Sequence, residues 1–151
     1  MTWDELGICT KPLQPAFLVQ PATAQNNIAV NTNVPIVFGA ERFDVGSNFA
    51  SNTFTAPVTG KYQLSVGLYL NNVPANAGYI ELSLITSNRN VSAGIFASAD
   101  AHIYWGLHHS SILVDMDADD TASYSVAQGG ANSSQTADIQ VGSFFSGFLA
   151  C

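Results

Sequence analysis

A chain of 151 residues suits one domain, and a domain of that size buries roughly 70% of its unfolded surface. Hydrophobic residues make up 47% of it and charged residues only 10%, far below the usual ~25%. The net charge is −7, and the four cations Lys11, Arg42, Lys61 and Arg89 are scattered, which excludes a phosphate-neutralising patch and disfavours nucleic acid and anionic membrane surfaces.

The N-terminal run MTWDELGICTKP has neither a basic start nor an apolar h-region, so it reads as lacking a secretory signal, and synthesis in a cytoplasm is expected. No apolar run approaches the ~20 residues that span a bilayer. Thr2 and Glu5 have capping-box spacing beside Trp3, Leu6 and Ile8, which predicts one helical turn or an extended arm. Residues 1–14 are read as an arm and 15–151 as the domain. Cys9 and Cys151 sit near the two ends. A bridge between them is thinkable if the first and last strands are neighbours, but a reducing compartment argues for thiols.

After Pro12 and Pro15 the strand signals begin. Strands are expected near 16–20, 34–38, 50–55, 61–71, 79–87, 91–97, 102–114, 121–127 and 138–149. The clearest is the segment from Lys61. Tyr62, Leu64, Val66, Leu68 and Leu70 fall on one face, while Gln63, Ser65, Gly67, Tyr69 and Asn71 fall on the other. Pro57 and Gly60 punctuate the turn before it. Polar clusters such as Asn71 to Pro74, Ser87 to Asn90 and Asp117 to Asp120 separate the strands. Many strands, short polar connections and almost no helical period predict an all-β antiparallel sandwich. In the last strand Phe144, Phe145 and Phe148 put rings on both faces. A strand apolar on both sides must be covered on both sides, once by the opposing sheet and once by a neighbouring subunit.

Candidate chemistry is sparse. Asp115, Asp117, Asp119 and Asp120 place four carboxylates in six residues and are the candidate calcium ligands. They lack the Gly and Glu of an EF-hand loop, and a solvated turn is the competing reading. His108 and His109 are adjacent on a strand and so face opposite ways. His102 would share a face with His108 but lie ~20 Å along the strand, so one strand cannot supply a three-histidine zinc site. There is no Gly-x-Ser-x-Gly elbow and no phosphate-cradling glycine loop, and no enzyme or cofactor is expected. Trp105, Tyr104, Tyr69, Tyr79 and Tyr124, with the Asn-rich loops, could stack sugars. Of these, Tyr69 and Tyr79 lie opposite the predicted core faces, and Tyr69, Tyr79 and Trp105 are the candidate glycan contacts.

Phe54, Thr55, Ala56, Pro57, Gly60 and Tyr62, together with the ending Phe145-Ser146-Gly147-Phe148-Leu149, resemble the signature of the C1q/TNF-like jelly roll. That resemblance implies about ten strands and a tight homotrimer, with Tyr62, Leu64, Val66, Phe144, Phe145 and Phe148 forming core and trimer interface. The wording FLVQPATAQNNIAV, VFGAERFDVGSNFASNTFTAPVTGKYQLSV and DMDADDTASYSVAQGG also resembles jelly-roll domains in structural proteins of marine and cyanobacterial tailed phages. It implies a non-catalytic knob on the virion surface, made in the host cytoplasm: a capsid decoration, head spike or tail-fibre tip. Trp3, Leu6 and Ile8 would anchor it to a capsid or tail protein, and a host glycan or outer-membrane protein would be its target. A secreted bacterial lectin or ligand-type module is the alternative.

Overall fold

The computed structural model describes residues 1–3, 9–75, 77–97, 103–129 and 136–151. The chain runs through β1 (Thr2–Trp3), β2 (Cys9–Thr10), β3 (Ala16–Gln20), β4 (Asn33–Pro35), β5 (Ala40–Val45), β6 (Phe49–Ala50) and β7 (Thr53–Thr55). It continues through β8 (Gly60–Val73), β9 (Tyr79–Thr86), β10 (Asn90–Ala97), β11 (Ile103–Met116), β12 (Thr121–Gly129), β13 (Asp138–Ile139) and β14 (Phe144–Leu149). Two sheets face each other. Sheet I has the order β10-β9-β12-β7-β6, with β4 also on β12; sheet II has the order β11-β8-β14-β3-β5, with β13 also on β8. Every named pairing is antiparallel, and the short β1–β2 ribbon stands apart. The chain passes from β7 in sheet I to β8 in sheet II and back to β9, which is how a jelly roll interleaves its layers.

Alternation decides which side chains enter the core. Tyr62, Leu64, Val66, Leu68 and Leu70 of β8 are fully buried, as are the alternating Ala122, Tyr124 and Val126 of β12. Phe17, Phe54, Phe145 and Tyr124 form the centre. Phe17 stacks on Phe54 at 4.7 Å, and Phe145 meets Phe17 and Tyr124 edge-on at 4.8 Å and 4.9 Å. Such edge-to-face pairs add about 0.5–1.5 kcal/mol to the area term. Tyr124 is fully buried, which places it in the core rather than on a sugar-stacking surface, and that burial drives its phenol far above its ordinary pKa and keeps it neutral.

Three elements depart from the sequence expectation. The segment 50–55 is a hairpin, because Ser51 and Asn52 both take positive φ, 50° and 66°, the geometry of a two-residue primed turn between β6 and β7. The segment 138–149 is interrupted at 140–143, where the Ser143 N–H donates to the Gln140 carbonyl at 2.9 Å. Strand β5 was not expected at all. Its Glu41, Arg42 and Asp44 erase the apolar alternation, and charge on an edge strand discourages pairing with another sheet. With these pieces the two sheets hold twelve strands rather than about ten. At the N-terminus Thr2–Trp3 is extended and paired with Cys9–Thr10, the extended one of the two forms read from the sequence.

Candidate functional site

The outer face of sheet II is the feature the fold leaves unexplained. Pairing registers put Trp105, Leu107, His109, Ser111 and Leu113 of β11 opposite Asn71, Tyr69, Gly67, Ser65 and Gln63 of β8. Phe144, Ser146 and Phe148 of β14 then follow opposite Gly67, Ser65 and Gln63, with Leu18 of β3 and Phe43 of β5 beyond. Phe43, Trp105, Leu107, Leu113 and Phe148 are all large apolar side chains left exposed there. From Leu113 to Trp105 the outward residues of β11, β8 and β14 include no Asp, Glu, Lys or Arg. Charge returns only at the ends, with Asp115 opposite Lys61 and Asp138 opposite Asn71.

Local packing makes the middle of this face flat. The Phe144 ring lies across Gly67, where a Cβ would stand 2.2 Å from Phe144 Cε1. His109 flanks the same ring at 6.0 Å. Beside them the Gln63 amide donates to Ser111 Oγ at 2.6 Å, and the Ser65 and Ser111 hydroxyls share a bond of 2.7 Å. These small polar groups bond to one another within the face, which leaves one serine O–H, one Gln63 N–H and Gln63 Oε1 for water or a partner group among the described residues. The six predicted core or interface residues therefore divide. Tyr62, Leu64, Val66 and Phe145 point into the core, while Phe144 is half-buried and Phe148 exposed on the outer face.

At the end of β8 away from Lys61 the face changes character. Tyr69 and Trp105 lie with ring centroids 5.3 Å apart and planes tilted by 32°. The Tyr69 backbone is held by Ser143, whose Oγ accepts the Tyr69 N–H at 2.9 Å, and by the Gln140 N–H, which donates to the Tyr69 carbonyl at 2.8 Å. Gly142 is required there, since a Cβ would stand 2.7 Å from the Tyr69 ring. Amides surround the pair: Gln140 donates to Asn71 Oδ1 at 3.0 Å, and Asn72 donates to Asp138 at 2.7 Å. Tyr79 does not join them, because β9 carries it in sheet I.

The carboxylate run at 115–120 is a hydrogen-bonded turn. Asp115 pairs with Arg89 at 2.6 Å, both side chains well exposed, a pair of small energetic value. Asp120 accepts from the Ser87 hydroxyl, the Asp117 N–H and the Asn88 amide. Those donors, Ser87 first, hold its carboxyl below the usual range. Among the described residues no group of three or more His, Cys, Asp or Glu side chains is gathered as a metal site. Cys151 is a free, exposed thiol, and an open groove of about 650 Å³ lined by Leu13, Val45, Val58 and Leu149 lies beside it. Leu6 and Ile8, expected as anchors with Trp3, lie outside the described residues.

His108 and His109 do face opposite ways. The His108 ring turns inward and stacks on Phe96 at 3.7 Å, and desolvation lowers its pKa. The unfolded chain, titrating near about 6.5, then takes the proton first. Stability from the neutral ring is full above that value and is lost as pH falls through it toward the folded pKa. Replacing the ring by His108→Phe should therefore flatten the decline in urea midpoint between pH 7.5 and pH 5; an unchanged decline would show that other groups cause it.

No protein-family model matches this sequence, and no curated protein matches it. The fold is similar to solved structures. The globular domain of zebrafish complement 1qA protein is 18% identical, with a TM-score of 0.63 over 91% of this chain and 98% of that one. Murine APRIL, in its crystal structure at pH 8.5, is 10% identical, with a TM-score of 0.62 over 90% of this chain and 98% of that one. With two antiparallel sheets in this order, the molecule is an all-β sandwich of the C1q/TNF-like jelly-roll type.

Proposed function

We propose that the chain is a non-catalytic binding module that closes into a homotrimer through the outer face of sheet II and serves as a jelly-roll knob on the surface of a tailed-phage particle. The observation that carries this reading is the outer face running from Phe148 and Phe144 to Leu107 and Leu113, where β14, β8 and β11 present large apolar side chains and no Asp, Glu, Lys or Arg. Large apolar side chains exposed together on one sheet face mark contacts with other chains. A cyclic assembly would cover one face on every copy and leave none over. The number three is supported by the resemblance to a family of trimers and by the likeness of fold.

The virion role rests on the sequence resemblance to phage structural domains and on the surface chemistry. A surface of Asn, Ser, Thr and Gln titrates little and is insensitive to salt, as a particle exposed to changing media requires. Residues 1–14 would dock on a capsid or tail protein, and the loop end would face a host glycan or outer-membrane protein. Immunogold labelling of purified particles tests this reading. Gold over the head would make the chain a decoration protein or head spike, and gold on the tail an adsorption protein. Particles without label would contradict a virion role.

A further inference from the structure

The Tyr69–Trp105 end of the outer face is built differently from its middle, and we infer that it is a binding site for a neutral hexopyranose unit of an oligosaccharide. The inference rests on the binding-module reading above and names its ligand class. Trp105 is 59% exposed and lies against Tyr69 to form a shelf. Gluco- and galacto-configured pyranoses present a patch of axial C–H bonds that packs on such a shelf, while their hydroxyls need neutral donors and acceptors close by. Asn71 and Gln140 supply these. Their mutual bond uses the Gln140 amide N–H and Asn71 Oδ1, which leaves the Asn71 NH₂ and Gln140 Oε1 for a ligand among the described residues.

Two further observations select a sugar over a protein surface and a neutral sugar over a charged one. Drying this amide row against an apolar surface would strand its remaining groups at about 1–3 kcal/mol each, whereas the hydroxyls of a sugar can donate to Gln140 Oε1 and accept from the Asn71 NH₂. Asp138 borders the shelf with both oxygens hydrogen-bonded, one to the Asn27 N–H and one to Asn72. No Lys or Arg projects from the shelf strands near it, and the whole chain carries −7, so uronate or sialate is repelled. Rigidity completes the site. The Ser143 and Gln140 clamps and the Gly142 contact fix Tyr69 before any ligand arrives, which lowers the ordering cost of binding.

The test uses the full chain carrying Trp3→Phe, which leaves Trp105 as the sole tryptophan. Its fluorescence is followed while maltotetraose, cellotetraose or lacto-N-tetraose is added, with tetragalacturonate as the charged comparison, and the mass of each sample is measured by light scattering. At least one neutral sugar should shift the emission saturably, and tetragalacturonate should not. By calorimetry Trp105→Ala should weaken that binding at least tenfold, and Gln140→Ala several-fold, with the mass unchanged. If none of the three neutral sugars perturbs Trp105, or if Trp105→Ala retains the affinity, the site is not a sugar site. If Trp105→Ala changes the mass instead, this end belongs to the subunit contact and the inference is overturned. The mass reports separately on assembly: sugar binding by a 15.9 kDa species would contradict the trimer and leave the sugar site standing.

Discussion

Phe148→Glu should dissociate the proposed homotrimer into protomers of 15.9 kDa while leaving the fold nearly as stable as before. Phe148 is 47% exposed in the protomer and sits on the outer face between Gln63 and Ala16. A substitution at such a position perturbs an isolated domain by only about 0.5 kcal/mol. In a cyclic assembly the same change recurs in every interface. Each copy would bury a carboxylate on a face whose nearby cation, Lys61, already stands opposite Asp115, at a cost of several kcal/mol, enough for a loss of affinity of three orders of magnitude or more. Val37 supplies the matched comparison, being 47% exposed but lying outside sheet II. Val37→Glu should leave the mass unchanged. Equal loss of assembly in both variants would point to overall charge rather than to the face.

Phe145→Ala should have the opposite signature, a large loss of stability that precedes any effect on assembly. The ring is fully buried, flanked by Phe17 and Tyr124 at under 5 Å and by Phe38 and Phe49 at 5.8 Å. Removing it leaves a cavity between two sheets that cannot collapse easily. A cost of about 4 kcal/mol is expected, and a midpoint lower by roughly 10 °C. Its neighbour Phe144, on the other side of the same strand, should cost far less when changed to alanine and should show its effect in the mass instead. Melting curves at one fixed protomer concentration compare the pair, since assembly itself raises apparent stability. A loss below about 1 kcal/mol for Phe145→Ala would contradict the placement of that ring.

Which parts of this architecture could be read before folding follows from the physics of each element. β8 and β14 are central strands, so their burial writes an apolar pattern into the chain, and the aromatic residues of β14 already read as rings on both of its faces. β5 is an edge strand under no such demand, and its charges hid it. The Ser51–Asn52 turn was hidden because two polar residues inside a six-residue segment are too few to stand out as a break, and it is the positive φ of Ser51 and Asn52 that separates the two strands. Tyr124 looked available for sugars, yet it shares its parity with Ala122 and Val126, both buried; that parity was the usable signal. The pairing of Tyr69 with Trp105, and the Gly67 seat for the Phe144 ring, depend on register between strands far apart in the chain. Nothing local records such contacts, so the boundary between a flat apolar field and an amide-rimmed shelf emerged only from the folded sheet.

The account rests on the outer face of sheet II being a contact between copies of the chain. Light scattering on the purified protein at micromolar concentration reads this directly. A solution mass of three times 15.9 kDa, stable on dilution and in high salt as an apolar contact should be, is the predicted result. A mass of 15.9 kDa under the same conditions would contradict it.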